Sequence, residues 1–537
     1  MKIAKLPRVW ALAVAATCTI GACNMITGAD SLKIGPSIFD EQTPAGSSGA
    51  GGHDVGSSGV VGSGTQAGAT SGVGSGGGDA SGSGNGSTAT STGSGPPVVT
   101  GLVDGVTLVS IDLYQGIRRP IMDNGAPASS SIPVVAGKDG MLRIFYTTST
   151  SYNGQSVTAH VVIGQGTPIE ASQTLSGSSS QSSLSSTLNV DIPGSAITAG
   201  SDILVELRQP ESMSTGSNAQ ASYQGSLGAE QGGKTLKIKL VPVKYGSKLP
   251  DTSQAQLDRY QKWFEGTYPI PKIEITVRSQ PYTFYGNLNG YSGWSSLLND
   301  VSDLRSSDGA PSDQYYYGVH DASGSGLLGL GWLGYDSTDN WARTAIGVGW
   351  TGDTAPETMI HELGHNHGRD HAPCGTSGDS SYPHSGASIG VWGYKPWSQK
   401  LLDPYDYVDF MSYCDPIWIS DYTYKALFKR LSAVSKSPKL VFNPDLMNRS
   451  YDAIRVIDGQ AEWKGTITGE RPPMGTKKSV QIKTQGNGWK VVTGHYYPYN
   501  HITGGMLYVM RPKQYTLLEA LQVVKFKAEG LNLSVSR

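Results

Sequence analysis

The stretch His361-Glu362-Leu363-Gly364-His365-Asn366-His367-Gly368-Arg369-Asp370-His371 decides how the rest of the chain is understood. On a helix, positions i and i+4 lie one above the other, so His361 and His365 can aim their imidazoles at one ion. Glu362 adjoins the first of them, where a carboxylate reaches a water on that ion. Gly368 can take a left-handed backbone conformation that a side chain resists, which stops the helix there. The chain then turns back and His371 can supply a third nitrogen. Three nitrogen ligands with the fourth position open is the layout of a catalytic rather than a structural zinc site. The alternative is ordinary histidines on a surface or core helix, which must then match five fixed positions in eleven by chance. His367 fits no ligand position and is expected behind the ligands or facing solvent.

The residues before this stretch specify the helix. Thr354-Ala355-Pro356-Glu357 has the spacing of a capping box, with proline tolerated in the first turn. Met359, Ile360 and Leu363 supply an apolar face. Downstream, with Met411 40 positions after His371, lies Asp409-Phe410-Met411-Ser412-Tyr413-Cys414.

These two motifs together resemble the metzincin zinc peptidases, whose longer histidine pattern is followed by a methionine turn. The resemblance implies that Met411 packs beneath the zinc ligands, where a soft, polarizable side chain suits the floor. Tyr413, two residues after Met411, resembles the astacin and serralysin pattern and by that match donates to the oxyanion. The wider runs HELGHNHGRDHAPCG and MSYCDPIWISDYTY are most similar to the secreted bacterial StcE-like, mucin-degrading group, and the resemblance covers residues 340–435. Ala372 departs from the Glu, Asp, Ser or Pro that follows the third histidine in several other branches. No cysteine lies between Cys23 and Cys374, so the prodomain cysteine of matrixin-type latency is absent.

The N-terminus reads as an address. Residues 1–22 combine Lys2, Lys5 and Arg8 with the short apolar run Val9–Ala22, too short to span a bilayer, as in a secretory signal. Ile20-Gly21-Ala22-Cys23 resembles a bacterial lipobox, with Cys23 acylated; the alternative is an ordinary cleavage site and an incidental cysteine. Asn24 rather than Asp after the cysteine points to the outer membrane or cell surface, with release from the cell a further possibility. Residues 23–97 are dominated by Gly, Ser, Ala and Thr and cannot bury enough surface to order themselves. As a flexible coil such a tether reaches roughly 45 Å. The net charge of −2 and the absence of a basic run argue against nucleic acid as a partner.

Of the four cysteines, Cys374 and Cys414 remain once Cys18 leaves with the signal and Cys23 serves as the anchor. Export to an oxidising space favours a disulfide between them. On the chain-entropy model that bridge contributes about 4 kcal/mol. Two free thiols, or cysteine ligands to zinc, are the alternatives.

Residues 98–232 show short alternating runs, Val106–Leu113, Met141–Thr147, Val157–Ile163, Leu188–Ile192 and Ile203–Leu207, separated by turn residues. That pattern predicts a β-sandwich-like module acting as spacer, binding module or support. Residues 233–436 predict the catalytic domain: strands at Leu236–Leu240, Ile273–Val277, Tyr315–Val319 and Ala345–Trp350, and helices over Asp251–Glu265, around Trp294–Leu304 and over Ser420–Val434. Gly266 is the expected stop of the first helix. Leu327–Tyr335 is the candidate edge strand that, by the metzincin resemblance, pairs with an extended peptide substrate; an ordinary glycine-rich loop is the alternative. Residues 437–537 return to β patterning and predict a C-terminal sandwich or jelly-roll-like module. His495 and His501 lie there without ligand spacing and are expected to be structural. The class so implied is α+β: a metzincin-type domain with a twisted sheet, active-site helix and Met-turn, flanked by β-sandwich-like modules.

The expected activity is zinc-dependent endopeptidase action on extracellular proteins or glycoproteins. One Zn2+ ion on His361, His365 and His371 lowers the pKa of its water. Glu362 accepts the proton and passes it to the leaving amine. Two other classes stay open: a zinc-binding but non-proteolytic adhesin or carbohydrate-binding envelope protein, and a structural envelope protein whose histidines bind no metal.

Overall fold

The computed structural model describes residues 99–537 apart from 211–212, 214–217, 335, 437–448, 470–472, 474, 485–487 and 512–520. The leader over 1–22, the lipidation candidate Cys23 and the tether over 23–97 therefore lie outside the described residues. Among the described residues no helix is long and apolar enough to cross a membrane. Strands outnumber helices, and the class is mixed α/β.

The alternating runs of the first region do form strands; Leu188–Ile192 has the expected bounds and the other four are slightly longer than their apolar patterns. Val106–Tyr114, Gly140–Thr148 and Leu188–Ile192 pair antiparallel in one five-stranded sheet. Ser156–Ile163, Asp202–Pro210 and Ser222–Ser226 belong to a second. Residues of both sheets, among them Ile111, Ile144, Val190, Val161 and Val205, share one core, the arrangement of a sandwich. Ile117, Ile132 and Val135 leave that core and enter the one around the active-site helix. Trp418 Nε1 donates to the Gly116 carbonyl at 2.8 Å across the same contact.

The middle of the chain builds a sheet in the order Lys272–Val277, Thr235–Tyr245, Gln314–His320, Thr344–Val348, Gly329–Gly331. The first four strands run parallel and the last is antiparallel. Both faces are covered, and the alternation of side chains sorts them. Tyr315, Tyr317 and Val319 face the core containing α1 (Gln254–Thr267), α3 (Thr354–Asn366) and α4 (Asp421–Lys436). Tyr316, Ile346 and Leu330 face the opposite core, which α2 (Tyr291–Ser307) covers with Trp294, Leu297, Leu298 and Val301.

Three local expectations need correction. The helix α1 does not stop at Gly266 but runs through it to Thr267. Gly266 is small because a Cβ there would lie 2.8–2.9 Å from the rings of Trp418 and Trp397. The Thr354–Glu357 capping box does not form: Thr354 is already helical, and Asp353 precedes it without a side-chain cap. Instead of a C-terminal sandwich there is one hydrogen-bonded sheet of seven antiparallel strands, ordered Gln460–Gly469, Arg449–Ile457, Gly504–Met510, Trp489–Pro498, Thr476–Thr484, Leu521–Ala528, Leu531–Ser536. Its two faces have different fates. Ile454, Val456, Leu507 and Val509 make the module's own core. Tyr451, Ala453, Met506 and Tyr508 point the other way, into the core beneath α2.

Candidate active site

The helix α3 delivers the histidines because its apolar side is fully buried. Ala355, Met359, Ile360 and Leu363 have no exposure and pack among α1, α4 and the sheet. That anchoring turns His361 and His365 toward a common point on the other side. Gly368, at φ 80°, ends the helix, and a Cβ there would also lie 2.7 Å from the Gly334 carbonyl. The chain then reverses and His371 joins the pair. His365 Nε2 lies 3.1 Å from His361 Nε2 and 3.2 Å from His371 Nε2.

The donor set fits a divalent metal on chemical grounds. His361 Nδ1 is 2.6 Å from the Phe410 carbonyl, and His365 Nδ1 is 2.6 Å from the Arg369 carbonyl. A carbonyl only accepts, so each Nδ1 carries the hydrogen and each Nε2 lone pair is free to face its neighbours. Burial keeps all three rings neutral: His361 is lowered to about 4 and His371 to about 2, and His365 falls well below its usual range, with His371 the next largest cause after burial. Neutral imidazoles with converging lone pairs are what a metal requires.

The floor comes from the turn after Asp409. Met411 is buried, and its sulfur lies where a Cβ on Gly364 would approach to 2.3 Å. Asp409 shapes this turn by accepting from Met411 N at 2.8 Å and from Ser420 N at 3.0 Å. Ala372 N donates to the Met411 carbonyl at 2.9 Å, joining the turn to the segment that carries His371. A disulfide between Cys374 and Cys414 links the same two segments.

Glu362 is almost fully buried, under the glycine-rich segment. Among the described residues of Leu327–Tyr335, Gly329–Gly331 alone is a strand, antiparallel to Thr344–Val348 at the sheet edge. Its glycines answer to space: a Cβ on Gly329 would sit 2.3 Å from Glu362 Oε1, and one on Gly331 would sit 3.2 Å from Oε2.

Residues 312–413 match the peptidase M66 family. That is the family of StcE, so the match agrees with the resemblance read from the motifs and supports a zinc metallopeptidase. The M66 match takes in His361, Glu362, His365, His371, Met411 and Tyr413, and ends well before the C-terminal sheet. No curated protein matches the chain. Among solved structures it shows a likeness to Bifidobacterium dentium β-glucuronidase complexed with coumarin-3-O-glucuronide. The identity is 11% and the TM-score 0.14, over 40% of this chain and 30% of that one. A TM-score of that size carries no argument.

The structure also gathers residues that the sequence does not group with the M66 region. His501, expected to be structural, stands with His361, His365 and His371, and the four ligand nitrogens lie within 4.8 Å of one another. Its Nε2 is 2.8 Å from Glu362 Oε1. Asn500 Nδ2 donates to Glu362 Oε2 at 3.3 Å. Tyr413 points its hydroxyl at His501 Nδ1, while its ring stands edge-on to His371 at 4.8 Å. No spacing rule reaches from position 371 to position 501, so no linear signal marked these two residues. His495 stays outside the four-histidine group. His367 is buried rather than solvent-facing: it stacks on Tyr315 at 4.8 Å, and burial lowers it to about 3.

Proposed function

We propose that the chain is a zinc-dependent endopeptidase that hydrolyses peptide bonds of extracellular proteins or glycoproteins. The observation carrying this is the convergence of His361, His365 and His371 beside the buried carboxylate of Glu362, inside the segment that matches peptidase M66. His361, His365 and His371 hold the ion, with His361 and His365 oriented by the carbonyls of Phe410 and Arg369. Zinc bound there supplies a Lewis acid that polarises a carbonyl and brings the pKa of water toward neutrality. Glu362 takes a proton from the attacking water as the new C–O bond forms, then gives it to the amine as the C–N bond breaks. Gly329–Gly331 brings the edge of the central sheet against that carboxylate, which supports an extended peptide as substrate. The basic start and apolar run of residues 1–22, with Cys23 after them, support an exported and lipid-tethered protein, at the outer membrane or cell surface.

The test is a cleavage profile on a mixed proteome that includes glycoproteins. Glu362→Ala is expected to keep its zinc by elemental assay and to lose turnover by about 10²–10⁴-fold. His371→Ala is expected to lose the ion on dialysis that leaves the parent loaded. A Glu362→Ala protein that cleaves as fast as the parent removes Glu362 as the base.

A further inference from the structure

The turn between Trp489–Pro498 and Gly504–Met510 carries the C-terminal sheet into the active site. Tyr499 forms an antiparallel bridge with Trp332 and stacks on its ring at 5.1 Å. The next residue, Asn500, accepts from the outward N–H of Gly331 at 3.3 Å and donates to Glu362 Oε2 at 3.3 Å. The residue after that, His501, places Nε2 2.8 Å from Glu362 Oε1, with its side chain only 8% exposed. Tyr499 and Asn500 thus hold the sheet edge, Asn500 also hydrogen-bonds one oxygen of the base, and His501 Nε2 lies beside the other oxygen without hydrogen-bonding to it.

The way the module is docked separates a working part from a removable plug. A plug must leave, and a segment that leaves is held by a small or polar contact. Here Tyr451, Ala453, Tyr497, Met506 and Tyr508 share one continuous core with α2 and the central sheet. Arg455, buried at the same boundary, donates to the Ser292 carbonyl at 3.1 Å and to Ser295 Oγ and Ser296 Oγ at 3.1 and 2.8 Å. Separating the modules would expose that core and break the bonds of Arg455 to α2, so the turn is a permanent wall of the site.

The hydrogen-bond directions say what the wall does. A tyrosine is protonated near neutral pH, so Tyr413 donates to His501 Nδ1. That leaves the ring hydrogen on Nε2, which faces the space between Glu362 and the three converging imidazoles. A fourth metal ligand would need a lone pair at that atom; this one has an N–H. Any carbonyl attacked by a water that Glu362 deprotonates has to sit in the same space.

We propose that the C-terminal module supplies two residues of the peptidase centre. His501 is a catalytic residue whose Nε2–H donates to the scissile carbonyl oxygen as it gains negative charge, and Asn500 is a positioning residue that fixes the Glu362 carboxylate. The proposal rests on the peptidase reading given above. It gives Tyr413 a place as well, since its hydroxyl acts on the reacting oxygen through His501.

The experiment uses the full chain loaded with zinc for turnover and with cobalt(II) for absorption. His501→Ala is expected to lower kcat by about 10²–10³-fold, the usual loss of an oxyanion donor, with KM within about threefold. His501→Gln, which keeps an N–H donor, recovers at least about tenfold of that loss. Asn500→Ala lowers kcat about tenfold at unchanged KM and unchanged thermal midpoint, a split that loss of fold does not produce. The cobalt(II) absorption spectrum and the chelator-competition affinity of His501→Ala match the parent. Three results overturn the proposal: a kcat that rises, which marks a blocking turn; an altered cobalt spectrum with metal affinity at least tenfold weaker, which marks a fourth ligand; or a kcat that does not move. Should His501→Ala fail to fold, the same three outcomes are read on His501→Leu, which fills the space and has no N–H to donate. A metal-loaded parent that cleaves nothing defeats the peptidase reading and this inference with it, whereas an active parent with an indifferent His501→Ala defeats this inference alone.

Discussion

Two carboxylates on one helix show how burial and partners set a residue's chemistry. Glu362 is buried but approached on both oxygens, by Asn500 and by His501. Glu357, just over a turn earlier, is pushed up to about 8, first by burial and then by Asp353 and Asp415, against weaker opposition from Lys395 and Lys262. Its proton is therefore held more tightly in the fold than in the unfolded chain. The stability this gives is complete below the ordinary value of 4.5 and is lost as pH rises through about 8. Each tenfold of tighter proton binding corresponds to about 1.4 kcal/mol. Glu357→Gln, which cannot ionise, is expected to melt several degrees higher than the parent at pH 8.5 and at nearly the same temperature at pH 4.5. Melting curves across that range check it, and a parent and variant that track each other at every pH refute it.

At the scale of elements, the turn at Asp409–Cys414 and the helix α4 are set by a single side chain. Asp409 is fully buried and accepts from Met411 N and Ser420 N, so it holds the floor of the site and the start of α4 together. Ser420 then caps α4 through Thr423 N at 3.0 Å. Hydrogen bonds to a charged group are worth about 1.5–3 kcal/mol each. Asp409→Ala is therefore expected to destabilise the protein by about 3 kcal/mol or more, and Ser420→Ala by about 1 kcal/mol. Denaturant midpoints of the two variants measure this, and equal losses would show that the turn does not depend on Asp409. The start of this helix at Ser420 was legible in the sequence, because a cap and its first turn are neighbours in the chain. The Asp409 bridge was not, because its second contact lies 11 residues away across a fold.

At the scale of the molecule, the central region is not self-sufficient on the side that faces α2. Trp294, Leu330, Trp332 and Ile346 are completed by Tyr451, Tyr497, Tyr499 and Tyr508 from the C-terminal sheet. A chain ended after Lys436 would present that apolar face to water. It is expected to be insoluble, or to melt far below the parent, with loss of turnover by the same act. Sedimentation and melting of the shortened chain decide this; a soluble fragment with parental kcat contradicts it.

What the linear chain determined by itself was local: which runs alternate into strands, where α3 begins to carry histidines, where Gly368 ends it, and which two cysteines are left to pair. Each of these is fixed within a few turns of helix or strand, by periodicity, caps and residue size. Tertiary structure decided the rest. Glycines 329 and 331 looked like weak strand formers until the carboxylate of Glu362 was found against them. His501 carried no spacing that pointed to a site, because nothing in a sequence states which loop of one sheet will be pressed onto another. Only the burial of a shared aromatic core could bring position 501 to position 362.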